Sequence, residues 1–139
     1  MAKIVKCSTL VAGHGQGKML TTHQPISFWG GVDPVTGKVI DPRHELFDQC
    51  ITGKVLAFPC GKGSTGAPMV VLELAKQGTA PAAMINIETD SMLVAGPIIS
   101  KHFYGTTIPV VVLPPAAFDQ LRTGQTAVVD GAKGEVVIT

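Results

Sequence analysis

Lys54-Val55-Leu56-Ala57-Phe58-Pro59-Cys60-Gly61-Lys62-Gly63-Ser64-Thr65-Gly66-Ala67-Pro68-Met69 decides the fold class of this 139-residue chain. Its first five residues form a short apolar run, read as a strand. A glycine-rich turn follows and feeds a helical pattern in which Met69, Leu72 and Ala75 recur beside Val70, Val71 and Leu74, ending near Gly78. Ser64 or Thr65 is placed to cap that helix, and Pro68 suits its first turn. Strand, glycine turn and helix in that order define an α/β unit with its loop at the strand's carboxyl end. Gly61, Gly63 and Gly66 satisfy G-x-G-x-x-G, but the acidic residues downstream, Glu88 and Asp90, lie beyond the spacing of about 20 that dinucleotide binding requires. A phosphate-loop reading fails because Lys62 precedes the second glycine. What survives is general: glycines admit a ligand close to the backbone, and a helix N-terminus offers N–H groups to an anion. Ser64 would cap the helix, bind a carboxylate or phosphate, or move a proton.

Working outward, Lys3–Leu10 reads as an N-terminal strand and Gly13–Gly17 as a turn or bulge. Met19-Leu20 and Ile26–Trp29 read as an extended stretch broken at Pro25, and Gly30–Ile40 as a loop with a tight turn at Asp33–Gly37. Asp41–His44 continues that polar loop. Ala82–Ile87 and Pro109–Leu113 are continuous apolar runs, expected as buried strands. Met92–Phe103 is expected to be helical but split at Gly96-Pro97. Phe118–Leu121 reads as a helical turn, and Thr126–Asp130 with Gly134–Ile138 as a closing hairpin. No linker or repeat interrupts the chain, so residues 1–139 are expected to form one domain.

Charged residues make up only 15% of the chain and hydrophobic ones 45%, where a soluble domain carries roughly 25% charged residues. A net charge of +1 gives no electrostatic case for nucleic acid. No apolar run approaches the roughly 20 residues of a membrane span, and no secretory leader precedes Thr9, so a cytoplasmic location is expected. Cys7, Cys50 and Cys60 have no metal-knuckle or dithiol spacing, and His14, His23, His44 and His102 are scattered. No metal site is expected in this chain. The shortage of charge instead points to an apolar face that meets another protein.

Several segments in order carry a family likeness: Ser27–Gly37, Gly61-Lys62-Gly63-Ser64-Thr65, Gly78–Ala83, and Tyr104-Gly105 with Ile108–Val111. They resemble the aconitase X small subunit, or aconitase X swivel domain, across about residues 8–131. The resemblance implies a single swivelling β/β/α domain with barrel-like sheets and short helices. It implies a heterodimer with an aconitase X large subunit that carries an iron–sulfur cluster or iron; none is bound by this chain alone. It makes Ser64 the catalytic base of a hydro-lyase, its proton loss needing the helix N-terminus and neighbouring N–H donors. Gly63, Thr65, Lys62, Gly30 and Gly31 become substrate-binding candidates.

Two departures from the family stand out. Lys62 replaces a usual Arg, keeping charge but losing the bidentate fork, and Gly66 stands where main aconitases place a substrate-gripping arginine. The implied substrates are small hydroxy acids. The low charge is unlike a hyperthermophile and tips the expectation toward cis-3-hydroxy-L-proline, with mevalonate 5-phosphate as the alternative. A non-catalytic anion-binding module is a further reading, as is a phosphohistidine-like carrier using His14. Trp29 is placed to line the cleft, the subunit interface or the core, while Asp33 and Thr36 are expected to fix their turn.

Overall fold

The computed structural model describes residues 2–62, 66–89 and 91–139. Strand β1 (Lys3–Lys6) is followed after Cys7 alone by β2 (Ser8–Val11), then β3 (His14–Thr21) and β4 (Val55–Ala57). Helix α1 (Ala67–Gln77), β5 (Ala83–Asn86), α2 (Ser91–Tyr104) and β6 (Val110–Val112) form two crossover units. The chain closes with α3 (Pro115–Phe118), β7 (Thr126–Asp130) and β8 (Glu135–Ile138). The sheet order is β1-β8-β7-β3-β4-β5-β6-β2. Its two outermost strands are thus consecutive in sequence, and the single residue Cys7 carries the chain from one edge to the other. The result is an α/β domain with a nearly closed, barrel-like sheet and few short helices, as expected.

The N-terminal strand differs from expectation in being two strands. Lys3–Lys6 pairs antiparallel with β8, and Ser8–Val11 with β6. At the junction the Cys7 amide donates to the Gly134 carbonyl at 2.9 Å. The Gly13–Gly17 segment is also not a turn. From His14 on it is the first half of β3, where residues 14–18 pair antiparallel with β7 while Met19–Thr21 pair parallel with β4. Its glycines serve close approach: a Cβ at Gly15 would lie 2.1 Å from the Ala82 carbonyl oxygen, and one at Gly17 2.2 Å from that of Gly53. Backbone packing demands glycine at 15 and 17, whereas Gly13, just before the strand, has φ +144° and needs glycine for its backbone conformation; sequence alone does not separate the two.

Alternation along the parallel strands builds two cores. Val55, Ala57, Ala83, Ile85 and Val111 face the barrel interior with Met19, Phe118, Leu121, Val129 and Val136. Leu56, Met84 and Val110 face the opposite side, against Val71 and Leu74 of α1, Leu93 of α2, and Ile26, Phe28 and Phe58. Burial on both faces explains the unbroken apolar runs. Helix α2 runs without a break through Pro97. Leu93, Gly96, Pro97 and Ser100 are all buried on one face, and a Cβ at Gly96 would fall 2.7 Å from Val71 Cβ. Packing against α1 therefore outweighs the local cost of proline. Ser100 Oγ donates to the Gly96 carbonyl at 2.8 Å. Among the described residues, no helix is long and apolar enough to cross a membrane.

Candidate active site at the carboxyl edge of the parallel strands

Because β4, β5 and β6 are parallel, the loops leaving β4 and β5 and the N-termini of α1 and α2 share one edge of the sheet. Parallel α/β sheets bind ligands at that edge. Two interactions tie the loops together. Buried Asn86 donates from Nδ2 to the Phe58 carbonyl at 2.9 Å, and the Pro59 carbonyl accepts from the amides of Ile87 and Glu88, both at 3.0 Å. The N-cap of α1 is Gly66, with no side-chain cap, which places the expected capping role of Ser64 or Thr65 one or two positions too early. Pro68 stands in the first turn, as expected. Gly63, Ser64, Thr65 and Asp90 lie outside the described residues.

A long irregular segment folds over this edge. Ile26 bridges parallel to Gly61: its amide donates to the Cys60 carbonyl at 3.2 Å, and its carbonyl accepts from Lys62 at 2.9 Å. Phe28 is buried edge-on against Phe58, with ring centroids 5.8 Å apart. The chain then reverses, and the amides of Gly31 and Val32 both donate to the Phe28 carbonyl. Gly30 has φ +75°, and a Cβ at Gly31 would lie 2.0 Å from the Ser27 carbonyl oxygen. This reversal presents Trp29 to solvent, 64% exposed, over the start of α1, where a Cβ at Gly66 would come within 3.0 Å of the indole. Trp29 is therefore not a core residue. The Asp33 turn forms as expected: Asp33 Oδ1 accepts from Val35 at 2.9 Å and Thr36 Oγ1 from Lys38 at 3.3 Å. Thr79 Oγ1 anchors that turn by donating to the Pro34 carbonyl at 2.5 Å.

Two clefts open beside Lys62, of about 360 and 480 Å³. Ser27, Gly31, Asp41, Arg43 and Lys62 line both, and Trp29 and Gly30 line the larger. The fold thus brings together Lys62, Gly30 and Gly31 from the expected set. It adds Asp41 and Arg43, which the sequence presented only as part of a polar loop; the one signal was Asp41-Pro42-Arg43, a turn that presents a cation. Asp41 Oδ1 accepts from the Arg43 amide at 3.0 Å and from its Nε at 3.4 Å. The amide first, then the guanidinium, hold the Asp41 carboxyl below the ordinary 3.8. His44 lies between Pro25 and Leu46. Its Nδ1 accepts from the Leu46 amide at 3.0 Å, so Nε2 carries the proton toward the Pro25 carbonyl at 3.1 Å. Glu88 is solvent-exposed at the end of β5.

Among the described residues, no three His, Cys, Asp or Glu converge as a metal-binding group. His14 begins β3, opposite Asp130, rather than standing in a loop. Met69 in the first turn of α1 is 65% exposed, and Met92 at the start of α2 is also exposed.

Fold and site together define an α/β domain built to present a glycine-rich loop and a cationic cleft at a sheet edge. The family model of the aconitase X swivel domain matches residues 4–138, and the chain belongs to that family. It is 44% identical over 134 residues to the phosphomevalonate dehydratase small subunit of Methanothrix thermoacetophila, covering 96% of this chain and 93% of that one. It is 40% identical over 120 residues to cis-3-hydroxy-L-proline dehydratase of Pseudomonas aeruginosa, covering 86% of this chain and 20% of that longer one. The crystal structure of Thermococcus kodakaraensis aconitase X in its holo-form superposes with a TM-score of 0.88 at 38% identity, covering 99% of this chain and 98% of that chain.

Proposed function

We propose that this chain is the small subunit of a heteromeric hydro-lyase that dehydrates a small hydroxy acid, and that residues 1–139 act as its swivel domain. The observation that carries the reading is the glycine-rich loop of an aconitase X swivel domain at the carboxyl edge of β4, beside a cleft with two cations. In this reaction a base takes the proton from the carbon beside the carboxylate, the C–H electron pair forms the new double bond, and the C–O bond breaks to release hydroxide, which with the abstracted proton makes up the water lost. Ser64 is the base. Its proton loss requires the positive end of a helix and neighbouring N–H donors to favour the ionised hydroxyl. Lys62, Gly63, Thr65, Gly30 and Gly31 hold the substrate carboxylate. No residue described in this chain forms a metal-binding group; iron or an iron–sulfur cluster would be held by the large subunit, where it would supply Lewis acidity toward the leaving hydroxide. The cis-3-hydroxy-L-proline and mevalonate 5-phosphate reactions both fall in this class; average charge speaks to thermal adaptation, not to substrate.

Trp29, Met69 and Met92 form the docking rim for the large subunit, an apolar face of the kind interfaces favour. The decisive experiment co-expresses the chain with its large subunit and measures dehydration. Ser64→Ala should cut turnover by about 10²–10⁴-fold, the usual worth of a general base, while the complex still forms. Because Trp29 is the chain's only tryptophan, a blue shift of its emission reports assembly. Normal turnover in Ser64→Ala overturns the assignment.

A further inference from the structure

We propose that Asn86 is a positioning residue of the dehydration: its side-chain amide fixes the course of the chain from β4 into the loop that carries Ser64, and so governs turnover rather than substrate affinity. This rests on the dehydratase reading above and deepens it. Asn86 is the chain's only asparagine. It closes β5, after Ala83, Met84 and Ile85, and is completely buried there. Asparagine is a poor strand former and is seldom buried, so a specific hydrogen-bonding task has to account for it.

The register of β4 and β5 defines that task. The pairing is regular through Leu56 with Met84 and Ala57 with Ile85, and the Phe58 amide continues it by donating to the Ile85 carbonyl at 3.0 Å. In a regular parallel ladder the Phe58 carbonyl would then accept from the Ile87 amide. The Ile87 amide instead passes one residue further, to the Pro59 carbonyl, which also takes the Glu88 amide, both at 3.0 Å. The slip leaves the carbonyl of fully buried Phe58 without a backbone donor among the described residues. Asn86 Nδ2 fills that place at 2.9 Å and also reaches the Ile85 carbonyl at 3.3 Å. Without it, Phe58 would carry the desolvation cost of a buried, unpaired acceptor, and Pro59 has no N–H with which to steady the exit. On its other side the same stretch is held by Ile26, whose amide donates to the Cys60 carbonyl and whose carbonyl accepts from Lys62. Residues 58–62 thus run between Asn86 and Ile26, and Ser64 follows two residues later in sequence.

A second observation sets this edge apart. Asn86 Oδ1 and Thr89 Oγ1 are buried side-chain atoms with no hydrogen-bond partner among the described residues. Such atoms cost stability, and proteins keep that cost where a functional site requires the group. A leucine at 86 would spare the cost of Oδ1 but forfeit the bond to Phe58, so packing alone does not select asparagine. The effect falls on turnover because a base must sit within hydrogen-bond reach of the proton it takes, whereas the attraction of a cation such as Lys62 for a carboxylate falls off slowly with distance.

The test uses the chain co-expressed with its large subunit and assayed with phosphomevalonate and with cis-3-hydroxy-L-proline. On the substrate that the wild type dehydrates, Asn86→Leu should lower kcat about 10–100-fold, the order that a displacement of about 1 Å costs, while KM moves less than about threefold. Trp29 emission should show that the complex still assembles. Asn86→Ala, which cannot overpack, should show the same split and replaces the leucine variant where that one fails to assemble. Val136→Ala empties a buried site in β8, separated from β4 by β7 and β3, and should lower the melting temperature while leaving kcat per assembled complex unchanged. In the wild-type chain alone, NMR should show the Asn86 side-chain amide exchanging with solvent far more slowly than those of exposed Gln24 and Gln120. An assembled Asn86 variant with wild-type kcat, a loss confined to KM, an equal loss of kcat in Val136→Ala, or fast exchange at Asn86 overturns the positioning role and leaves the dehydratase reading standing. A wild-type complex inactive on both substrates overturns both.

Discussion

The carbonyl of Ile26 accepts the amide proton of Lys62 at 2.9 Å, fastening the segment that carries Trp29 to the loop that leaves β4. Ile26 is also buried, at 2% exposure, so one residue anchors the cleft through both backbone and side chain. Ile26→Ala should cost about 2–5 kcal/mol of stability, the range for emptying a packed aliphatic site. Urea unfolding measures this. A loss well under 1 kcal/mol would show that the segment is not fastened through this position.

The α1–α2 contact is set by absence of a side chain. An alanine at Gly96 would place its Cβ 2.7 Å from Val71 Cβ. Gly96→Ala should therefore destabilise the protein by about 1–3 kcal/mol, although alanine is the better helix former by about 1 kcal/mol. Combining it with Val71→Ala should cost less than the two separate losses together, since each change relieves the other. Strict additivity in thermal melts would refute the clash.

Glu45 ties the polar loop to the end of β3. Its carboxylate accepts from the Thr22 hydroxyl and, at 3.2 Å, from the His23 amide. The Thr22 hydrogen bond first, then the His23 amide and the nearby histidines, outweigh burial and hold its pKa below the ordinary 4.5. A carboxyl depressed in the folded state stabilises fully above its unfolded pKa and loses that contribution as pH falls through the folded value. Glu45→Gln should thus lower Tm at neutral pH, with the gap to wild type closing as pH drops below 4.5. A gap that stays constant down to acid denaturation would exclude the linkage.

The thiols should differ in reactivity. At Cys50 burial pushes the pKa up, but hydrogen bonds from the Thr52 hydroxyl and amide, with Lys54 and Lys38 nearby, bring it below the ordinary 9.0. At Cys7 burial leads and Glu135 and Asp130 add to it, raising the value. Thiolate is the reactive form, so iodoacetamide near neutral pH should label Cys50 several-fold faster than Cys7 by peptide mass spectrometry. Faster labelling at Cys7 would contradict this electrostatic ordering.

Elements whose apolar pattern is local were legible in the sequence: β4, α1 with its left-handed Gly78 terminus, β5, β6 and the β7–β8 hairpin. Gly15 and Gly17 were misread as turn residues because a glycine needed for backbone contact and a glycine needed for a turn look the same in one dimension. Pro97 was misread as a break because its helix is held by α1, a partner defined only in three dimensions. Of the cleft, Lys62, Gly30 and Gly31 were visible through the family likeness. Arg43 was not, because nothing in a polar loop says which distant cation it will face.

By itself, then, the sequence determined the α/β class, the glycine-rich loop between β4 and α1, and the family, because strand and helix periodicity and loop motifs are properties of contiguous residues. Only the tertiary structure decided that β1 and β2 occupy opposite edges of one sheet, that Trp29 faces solvent over α1, and that Arg43 and Lys62 share a cleft. Those facts depend on chain segments that meet across long sequence separations, where packing and hydrogen bonding, not local pattern, choose the neighbour.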